Sequence, residues 1–219
     1  MILNVTASPG NSMLALSKTL VRSIIILFLL VQAVWCSGQT ATELHQSGLQ
    51  KLKDNDLAGA IKDYNKAIET DSTKGELFYS RGLVKARLKQ YEEALKDFTK
   101  SYLLNQSSES LYMRALMKVE LDNYQGALDD LNNCYEAKKT SANYFFIRGN
   151  CKYFLNNYEE SVTDFTKAIE LKADFASAYL FRGLSFISLE DKKLACPDFQ
   201  KAKELNSPKA AVLIEKYCN

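Results

Sequence analysis

Histidine and proline are scarce in this sequence, and both scarcities limit what the chain can be. Its 219 residues include one histidine, His45, and three prolines, whereas 47% of the residues are hydrophobic. A single histidine and widely separated cysteines cannot form a zinc-ligand spacing or a Cys–His nucleophile within one short stretch. Few prolines and many apolar residues are typical of a folded, helix-rich protein.

A strong excess of charge is also absent. The chain carries 28 basic and 26 acidic residues, and two of the basic ones, Lys18 and Arg22, lie in an N-terminal segment that we expect to be removed. The remaining charge is balanced and gives no electrostatic reason to expect nucleic acid as a partner. The sequence has no Gly-rich phosphate loop, and its acidic residues recur at helix-surface spacing. It therefore predicts a protein without catalytic residues, metal or cofactor.

The N-terminal segment, residues 1–38, has the organisation of an export signal. Two basic residues precede a mostly apolar run, residues 23–35, and small residues then stand three and one positions before Gln39. The run is shorter than the roughly 20 residues that cross a membrane comfortably. We expect cleavage before Gln39 and export to the periplasm or the medium. The alternatives are an uncleaved membrane anchor in residues 20–35 and lipidation of Cys36.

From Ala41 onward the sequence repeats itself. A small residue recurs at a nearly constant interval, as Gly48, Gly82, Ala115, Gly149 and Gly183. Sixteen positions after each of these stands a large apolar residue, namely Tyr64, Phe98, Leu131, Phe165 and Phe199. Self-similarity at a fixed period indicates a repeat architecture, so the chain contains five copies of one unit.

Each copy has the pattern of a helical hairpin. Two stretches with apolar residues three and four positions apart are joined by a short polar turn, such as residues 156–157. Antiparallel helices approach closely only where small side chains meet, so Gly149 and Ser161 mark a crossing that Phe165 fills. One hairpin cannot bury its apolar face alone, whereas stacked hairpins can.

This pattern resembles the tetratricopeptide repeat family, whose 34-residue signature orders small and aromatic residues in the same way. The resemblance implies an all-α fold, a right-handed α-solenoid of five helical hairpins. It places the repeats at residues 41–74, 75–107, 108–141, 142–175 and 176–207, followed by a C-terminal capping helix in residues 208–219. The closing proline of the family is absent, and arginine replaces the leucine that usually precedes the small residue.

These arginines have partner candidates on the second helices. The arginines are Arg81, Arg114, Arg148 and Arg182, and the aspartates are Asp63, Asp97, Asp130, Asp164 and Asp198. We predict a ladder of ion pairs in which each arginine meets the aspartate of its own or the preceding repeat. Partly exposed pairs contribute about 0 to 1 kcal/mol each, so this ladder would fix register more than it adds stability. The alternative is that the arginines bind phosphate or carboxylate.

The family resemblance also implies a concave surface lined by the first helix of each hairpin. The residues expected there are Tyr79, Leu83, Tyr112, Leu116, Phe146, Asn150, Tyr153, Leu180 and Leu184. Such an apolar, aromatic groove fits a peptide, with Asn150 or a tyrosine hydroxyl fixing its orientation. The alternative is that the stack buries this surface against itself. A clamp for the carboxylate tail of a chaperone is not expected, because, of the Lys, Arg and Asn residues that such clamps use, only Asn150 fits, with Arg87 a distant second.

These observations predict a non-catalytic scaffold whose partner is a protein or a peptide. Two other roles stay open at this point, a membrane-tethered assembly factor for envelope complexes and a carrier of a small apolar ligand. Contact with a membrane is expected only through an uncleaved N-terminal segment.

The cysteines and the export signal together predict one disulfide. Cys196 and Cys218 lie eleven positions on either side of a turn centred near Ser207, so antiparallel helices would place them opposite each other. Cys134 and Cys151 are offset by five positions around their turn, about 7.5 Å along a helix. We expect these two to be buried free thiols. The alternative is four reduced cysteines that serve as small core residues.

Overall fold

The computed structural model describes residues 39–218, and none of these residues forms a β-strand. The expected export signal and Cys36 lie outside the described residues. Twelve helices follow one another within the described range: α1 (Ala41–Lys53), α2 (Leu57–Thr70), α3 (Gly75–Arg87), α4 (Tyr91–Asn105), α5 (Ser108–Glu120), α6 (Tyr124–Asn133), α7 (Tyr135–Lys138), α8 (Ala142–Phe154), α9 (Tyr158–Leu171), α10 (Ala176–Ser188), α11 (Lys192–Glu204) and α12 (Ala210–Cys218). No helix of residues 39–218 is long and apolar enough to span a bilayer.

The helices pack chiefly against their neighbours along the chain. Five pairs form hairpins, namely α1 with α2, α3 with α4, α5 with α6, α8 with α9 and α10 with α11. The second helix of each hairpin packs on the first helix of the next, and α12 packs on α11. This succession of neighbour contacts is that of a solenoid of stacked hairpins. The predicted all-α solenoid of five hairpins and a C-terminal helix is confirmed.

Every hairpin turn is built in the same way. One residue with a positive φ ends the first helix region, in the series Asn55, Lys89, Asp122, Asn156 and Glu190. A polar residue then precedes the second helix, and in three hairpins its side chain accepts a hydrogen bond from a first-turn N–H, in the series Asp56, Asn123 and Asp191. These caps satisfy backbone donors that a helix start leaves unpaired. The short polar turns therefore stop one helix and start the next.

A glycine and an aromatic ring meet where the two helices of a hairpin cross. A Cβ atom built on Gly149 would lie 2.7 Å from a ring carbon of Phe165, closer than van der Waals contact allows. Gly48, Gly82 and Gly183 face their own rings in the same way. The third hairpin has Ala115 and Leu131 at these positions, both fully buried. The smaller leucine leaves the room that the alanine methyl needs.

The third hairpin departs from the expectation of two long helices. Its second helix, α6, has 10 residues and ends at Asn133, whereas the other second helices have 13 to 15 residues. The fully buried Tyr144 of the next hairpin donates its hydroxyl proton to the carbonyl of Leu131, with an oxygen–oxygen distance of 3.0 Å. The thiol of Cys134 points to the same carbonyl at 3.4 Å. They add to the backbone hydrogen bond that this carbonyl, at the end of α6, accepts from the N–H of Cys134 at 3.1 Å.

Candidate functional site

Four arginines of the first helices bind aspartates of the second helices in the same hairpin. The pairs share one sequence spacing and are Arg81 with Asp97, Arg114 with Asp130, Arg148 with Asp164 and Arg182 with Asp198. Each is bidentate; Nε and Nη2 of Arg114 lie 2.7 and 2.6 Å from the two carboxylate oxygens of Asp130. A lysine one helical turn after the arginine binds the same carboxylate in three hairpins, in the series Lys85, Lys118 and Lys152.

The ladder aspartates are more buried than expected from the sequence. In these four pairs the aspartate side chains are only 2 to 7% exposed. The helix crossing encloses each carboxylate, and the guanidinium, joined by a lysine ammonium in three of these hairpins, replaces the water that the carboxylate loses. The estimate for partly exposed pairs therefore does not apply, since a buried carboxylate deprived of its partners is costly.

Two further sets of contacts belong to the ladder. One is that of Asp63 in the first hairpin, and the other is made by Nη1, the guanidinium nitrogen that does not bind the aspartate. Asp63 accepts a hydrogen bond from Ser47 at 2.6 Å and pairs with Lys51 at 2.7 Å, because the first hairpin has no ladder arginine. Nη1 of Arg81 donates to Asn65 of the preceding hairpin at 2.7 Å. Hydrogen bonds from Arg114 to Asp130 raise the pKa of Arg114. The arginines thus bind the aspartate of their own hairpin, and Arg81 also binds a residue of the preceding hairpin.

The structure places eight of the nine expected groove residues at half-buried positions, namely Tyr79, Leu83, Tyr112, Leu116, Phe146, Asn150, Tyr153 and Leu184. The exception is Leu180, which is 6% exposed and packs in a cluster with Ala195 and Phe199. Leu180 therefore belongs to the core and offers almost no surface to a partner. The helix presents the next residue, Phe181, instead.

Phe181 joins a cluster of aromatic rings in the last two hairpins. Its ring centroid lies 5.8 Å from that of Phe146 and 6.0 Å from that of Tyr153. Phe146 also packs on Phe175 and on the fully buried Phe165, at 4.8 and 5.9 Å. Phe146 is thus partly a packing residue, so the idea that the stack covers its own groove holds at this position. Sequence reasoning missed Phe181 because it stands one residue after the expected position.

A stacked pair of rings extends this aromatic surface. Tyr124 of the third hairpin and Phe154 of the fourth lie 4.6 Å apart with an interplanar angle of 14°. Phe154 is 48% exposed, and its other neighbour is the ring of Tyr153 at 5.4 Å. Sequence reasoning missed Phe154, although it directly follows a predicted groove residue. The pair adds exposed aromatic area next to Tyr153.

Asn150 has a polar group without a partner. Its Oδ1 atom is buried and accepts no hydrogen bond from residues 39–218. The equivalent position is leucine in the other four hairpins, at Leu49, Leu83, Leu116 and Leu184. A buried amide oxygen without a partner costs about 1 to 3 kcal/mol.

The first two hairpins contain a depression of about 720 Å³. Its apolar lining comes from the first two hairpins, from Leu49, Leu52 and Leu83, and its polar lining residues are Lys53, Asn55 and Arg87. The leucines are half-buried, whereas the two basic side chains are exposed. Residues of successive first helices therefore share one surface, with an apolar floor and a basic rim.

The cysteines and the histidine of residues 39–218 are buried, disulfide-bonded or hydrogen-bonded. Burial raises the pKa of Cys134 to about 11 and that of Cys151 to about 12, so both thiols stay protonated at neutral pH. Cys196 and Cys218 are joined in a disulfide, with their Cα atoms 5.7 Å apart. Burial lowers the pKa of His45, whose Nε2 lies 2.9 Å from Oγ of Ser80. Within residues 39–218, no His, Cys, Asp and Glu side chains cluster as metal ligands would.

Comparison with known proteins agrees with this fold. A family model described as the tetratricopeptide repeat matches residues 75–107, 142–175 and 176–208. The solved structure of YrrB, "a TPR protein with an unusual peptide-binding site", is similar with a TM-score of 0.76 at 22% identity, covering 85% of this chain and 97% of that chain. No curated protein matches the sequence.

Structures of MamA are similar as well. A crystal structure of MamA has a TM-score of 0.71 at 23% identity and covers 78% of this chain and 94% of that chain. MamA from Desulfovibrio magneticus RS-1, from residue 41 to its end, has a TM-score of 0.73 at 20% identity, with coverages of 77% and 96%. At these identities the likeness lies in the fold.

Proposed function

This chain belongs to the tetratricopeptide repeat family, and on that basis we propose that it is an exported, non-catalytic scaffold that binds a peptide or protein segment along its first helices. The observation that carries the proposal is the row of half-buried leucine and aromatic side chains on those helices, interrupted at Asn150 by a buried oxygen without a partner in residues 39–218. Apolar surface that stays accessible along a groove is typical of a binding site. The description of YrrB as having a peptide-binding site supports a peptide as the ligand.

The absence of catalysis is part of the proposal. The buried carboxylates that could act as acids or bases are occupied by arginine and lysine in the ladder, as in Asp130 with Arg114 and Lys118. The free thiols are protonated, and a protonated thiol is a poor nucleophile. The half-buried groove itself offers leucines, aromatic rings and one amide. These are groups that bind a segment by area and hydrogen bonds.

Export is supported by the two ends of the described chain. The disulfide between Cys196 and Cys218 fits an oxidising compartment. At the other end, Thr40 caps α1, with its side chain accepting from the N–H of Glu43 and its own N–H donating to the Glu43 carboxylate. A cut before Gln39 would leave this capping box intact. A mature protein that begins there therefore keeps its first helix.

The proposal is tested by selecting peptides and then changing one leucine inside the groove. A displayed library of random dodecapeptides is selected on the full chain, and the affinities of the selected peptides are measured for Leu116→Ser and Leu103→Ser. Leu116 lies in the row, whereas Leu103, on α4, is 67% exposed and is no part of it. Loss of a buried leucine contact costs about 1.5 to 3 kcal/mol, so Leu116→Ser should weaken binding at least about tenfold.

The Leu103→Ser control should bind the peptides as the parent does, and circular dichroism should show both variants folded. Failure to select any peptide, or equal weakening by both substitutions, would contradict a binding role for the row.

A further inference from the structure

Two cations of the first helices stand apart from the ladder. These helices carry ten basic side chains, and eight of them bind a ladder aspartate, in the series Lys51, Arg81, Lys85, Arg114, Lys118, Arg148, Lys152 and Arg182. The other two are Lys53 and Arg87. Neither has a carboxylate within ion-pair distance among residues 39–218. The charge of these two side chains is therefore available to a partner.

Both cations lie at the rim of the 720 Å³ depression. They occupy equivalent places in successive hairpins, and the same place holds Glu120, Phe154 and Ser188 in the later hairpins. The floor of the depression is made of three leucines, and its remaining lining residue is the neutral Asn55. We call this site, lined by Leu49, Leu52, Lys53, Asn55, Leu83 and Arg87, the basic pocket. No acidic side chain of the described residues lines it, so its charge is uniformly positive.

We propose that the basic pocket binds an acidic residue of the partner segment together with an apolar side chain next to it. This inference rests on the proposed function, since it names the chemistry of the segment that the groove holds. Lys53 and Arg87 would pair with one or two carboxylates, and the leucines would cover the neighbouring apolar side chain. Opposite charge on the two surfaces speeds association and excludes basic segments. Salt weakens attraction between exposed charges, so binding should depend on ionic strength.

A purely structural role for the two cations makes a different prediction. Lys53 and Arg87 lie in the last turns of α1 and α3, where positive charge complements the helix dipole. That role requires neither an apolar floor nor a shared depression. It predicts that removing the charges lowers the melting temperature and leaves the choice of peptide unchanged.

The test compares peptide selection on three forms of the full chain. The library of random dodecapeptides is selected on the parent, on Lys53→Glu/Arg87→Glu and on Lys62→Glu/Lys100→Glu. Lys62 and Lys100 are exposed lysines on the second helices of the same two hairpins, so the control changes net charge equally. We expect the parent and the control to select peptides with Asp or Glu beside Leu or Phe. The Lys53→Glu/Arg87→Glu variant should lose this preference and bind the selected peptides about tenfold or more weakly.

Each other outcome overturns one specific statement. Peptides selected without acidic enrichment, or bound equally by the Lys53→Glu/Arg87→Glu variant, would overturn the basic pocket while the groove stands. An unchanged peptide profile with a lower melting temperature would assign the cations to the helix dipole. Displacement of the peptides by dodecanoate from the parent only, with no acidic preference, would replace the acidic segment by a fatty acid. Failure to select any peptide would sink the proposed groove itself.

Discussion

At the scale of single residues, the distance between the two helices of a hairpin is set by one glycine and one ring. Gly149 lies against Phe165, and a methyl group at Gly149 would stand 2.7 Å from the ring. Phe165 is fully buried, so its ring has no open space into which it can move. The third hairpin reaches the same crossing with Ala115 and Leu131. The two positions therefore have to change together.

The first prediction concerns this pair. Gly149→Ala should destabilise the protein by about 1 to 3 kcal/mol, because the added methyl overpacks the crossing. Combining it with Phe165→Leu recreates the pair of the third hairpin, so the double variant should be more stable than the sum of the two single changes predicts. Urea unfolding of the parent, both single variants and the double variant gives this coupling as a double-mutant cycle.

Ala115→Gly is the control for the double-mutant cycle of Gly149 and Phe165. It removes a methyl group in the third hairpin, where Leu131 leaves room for one. It should be destabilising by a small amount, as glycine in a helix is by about 1 kcal/mol relative to alanine. A Gly149→Ala variant as stable as the parent would show that Phe165 does not limit the approach of the two helices.

At the scale of helices, the ladder joins the two helices of each hairpin through a buried carboxylate. In the fourth hairpin Asp164 is 2% exposed and binds both Arg148 and Lys152. In the first hairpin Asp63 is 9% exposed and has Ser47 and the more exposed Lys51 instead. The aspartates at this repeat position thus differ in how many cations they pair with, two for Asp164 and one for Asp63. Removal of the aspartate should cost most where two cations, each only 16% exposed, would lose their partner.

The second prediction follows from this difference. Asp164→Asn leaves Arg148 and Lys152 facing a neutral amide in a buried site, so it should destabilise the protein by about 3 kcal/mol or more. Asp63→Asn affects one half-exposed lysine and should cost about 1 kcal/mol or less. Thermal and urea unfolding measure both values. Equal losses for the two variants would show that burial of the ladder does not control its contribution.

The number of hairpins could be predicted from the sequence, whereas one break within a hairpin could not. The nearly constant period of the small residues is visible in the chain itself, and each copy has its own small and large residues. Cys134 occupies a position of small residues and gives no local sign that α6 ends just before it. At this end of α6, Tyr144 of the next hairpin donates its hydroxyl proton to the carbonyl of Leu131. A contact between hairpins cannot be read from the pattern within one.

The groove shows a similar limit. The family resemblance implies the groove residues from their position in the repeat, and at that position it implies that Leu180 lines the concave surface. The structure buries Leu180 in the C-terminal core and brings Phe181 against Phe146 and Tyr153. A shift of one residue on a helix turns a side chain by about 100°, and neighbouring packing decides which side chain faces the groove. Repeat position therefore predicts the helix face better than the individual residue.

At the scale of the whole molecule, the two ends of the stack are covered in different ways. The outer residues of α1 are polar and exposed, as at Glu43 and Gln46, so the first hairpin needs no further cover. At the other end α12 packs Leu213, Ile214 and Tyr217 on the buried side chains of the last hairpin. Terminal repeats of a solenoid need such covers to stay soluble.

The third prediction concerns the cover formed by α12. This helix has nine residues, too few to be stable alone in water, and the disulfide between Cys196 and Cys218 ties it to α11. The bond closes a loop with a sequence separation of 22 residues, which stabilises the fold by about 3 kcal/mol in the chain-entropy account. Reduction should therefore lower the melting temperature and free α12 before the rest of the stack unfolds. Hydrogen exchange along residues 210–218 in the presence and absence of reductant measures this step.

The same sample decides whether the bond and the export signal occur together. The protein is unfolded without reductant, alkylated, digested and analysed by mass spectrometry. We expect a peptide in which Cys196 and Cys218 are joined, alkylated Cys134 and Cys151, and an N-terminal peptide that begins at Gln39.

Alkylated Cys196 and Cys218 would contradict the disulfide, and α12 would then be held by packing alone. An N-terminal peptide that retains residues 20–35 would contradict cleavage and favour a membrane anchor, in which case the groove would work at a membrane surface. A joined pair with a cleaved N-terminus would agree with export to an oxidising compartment, because there the bond that holds the last helix can form and persist.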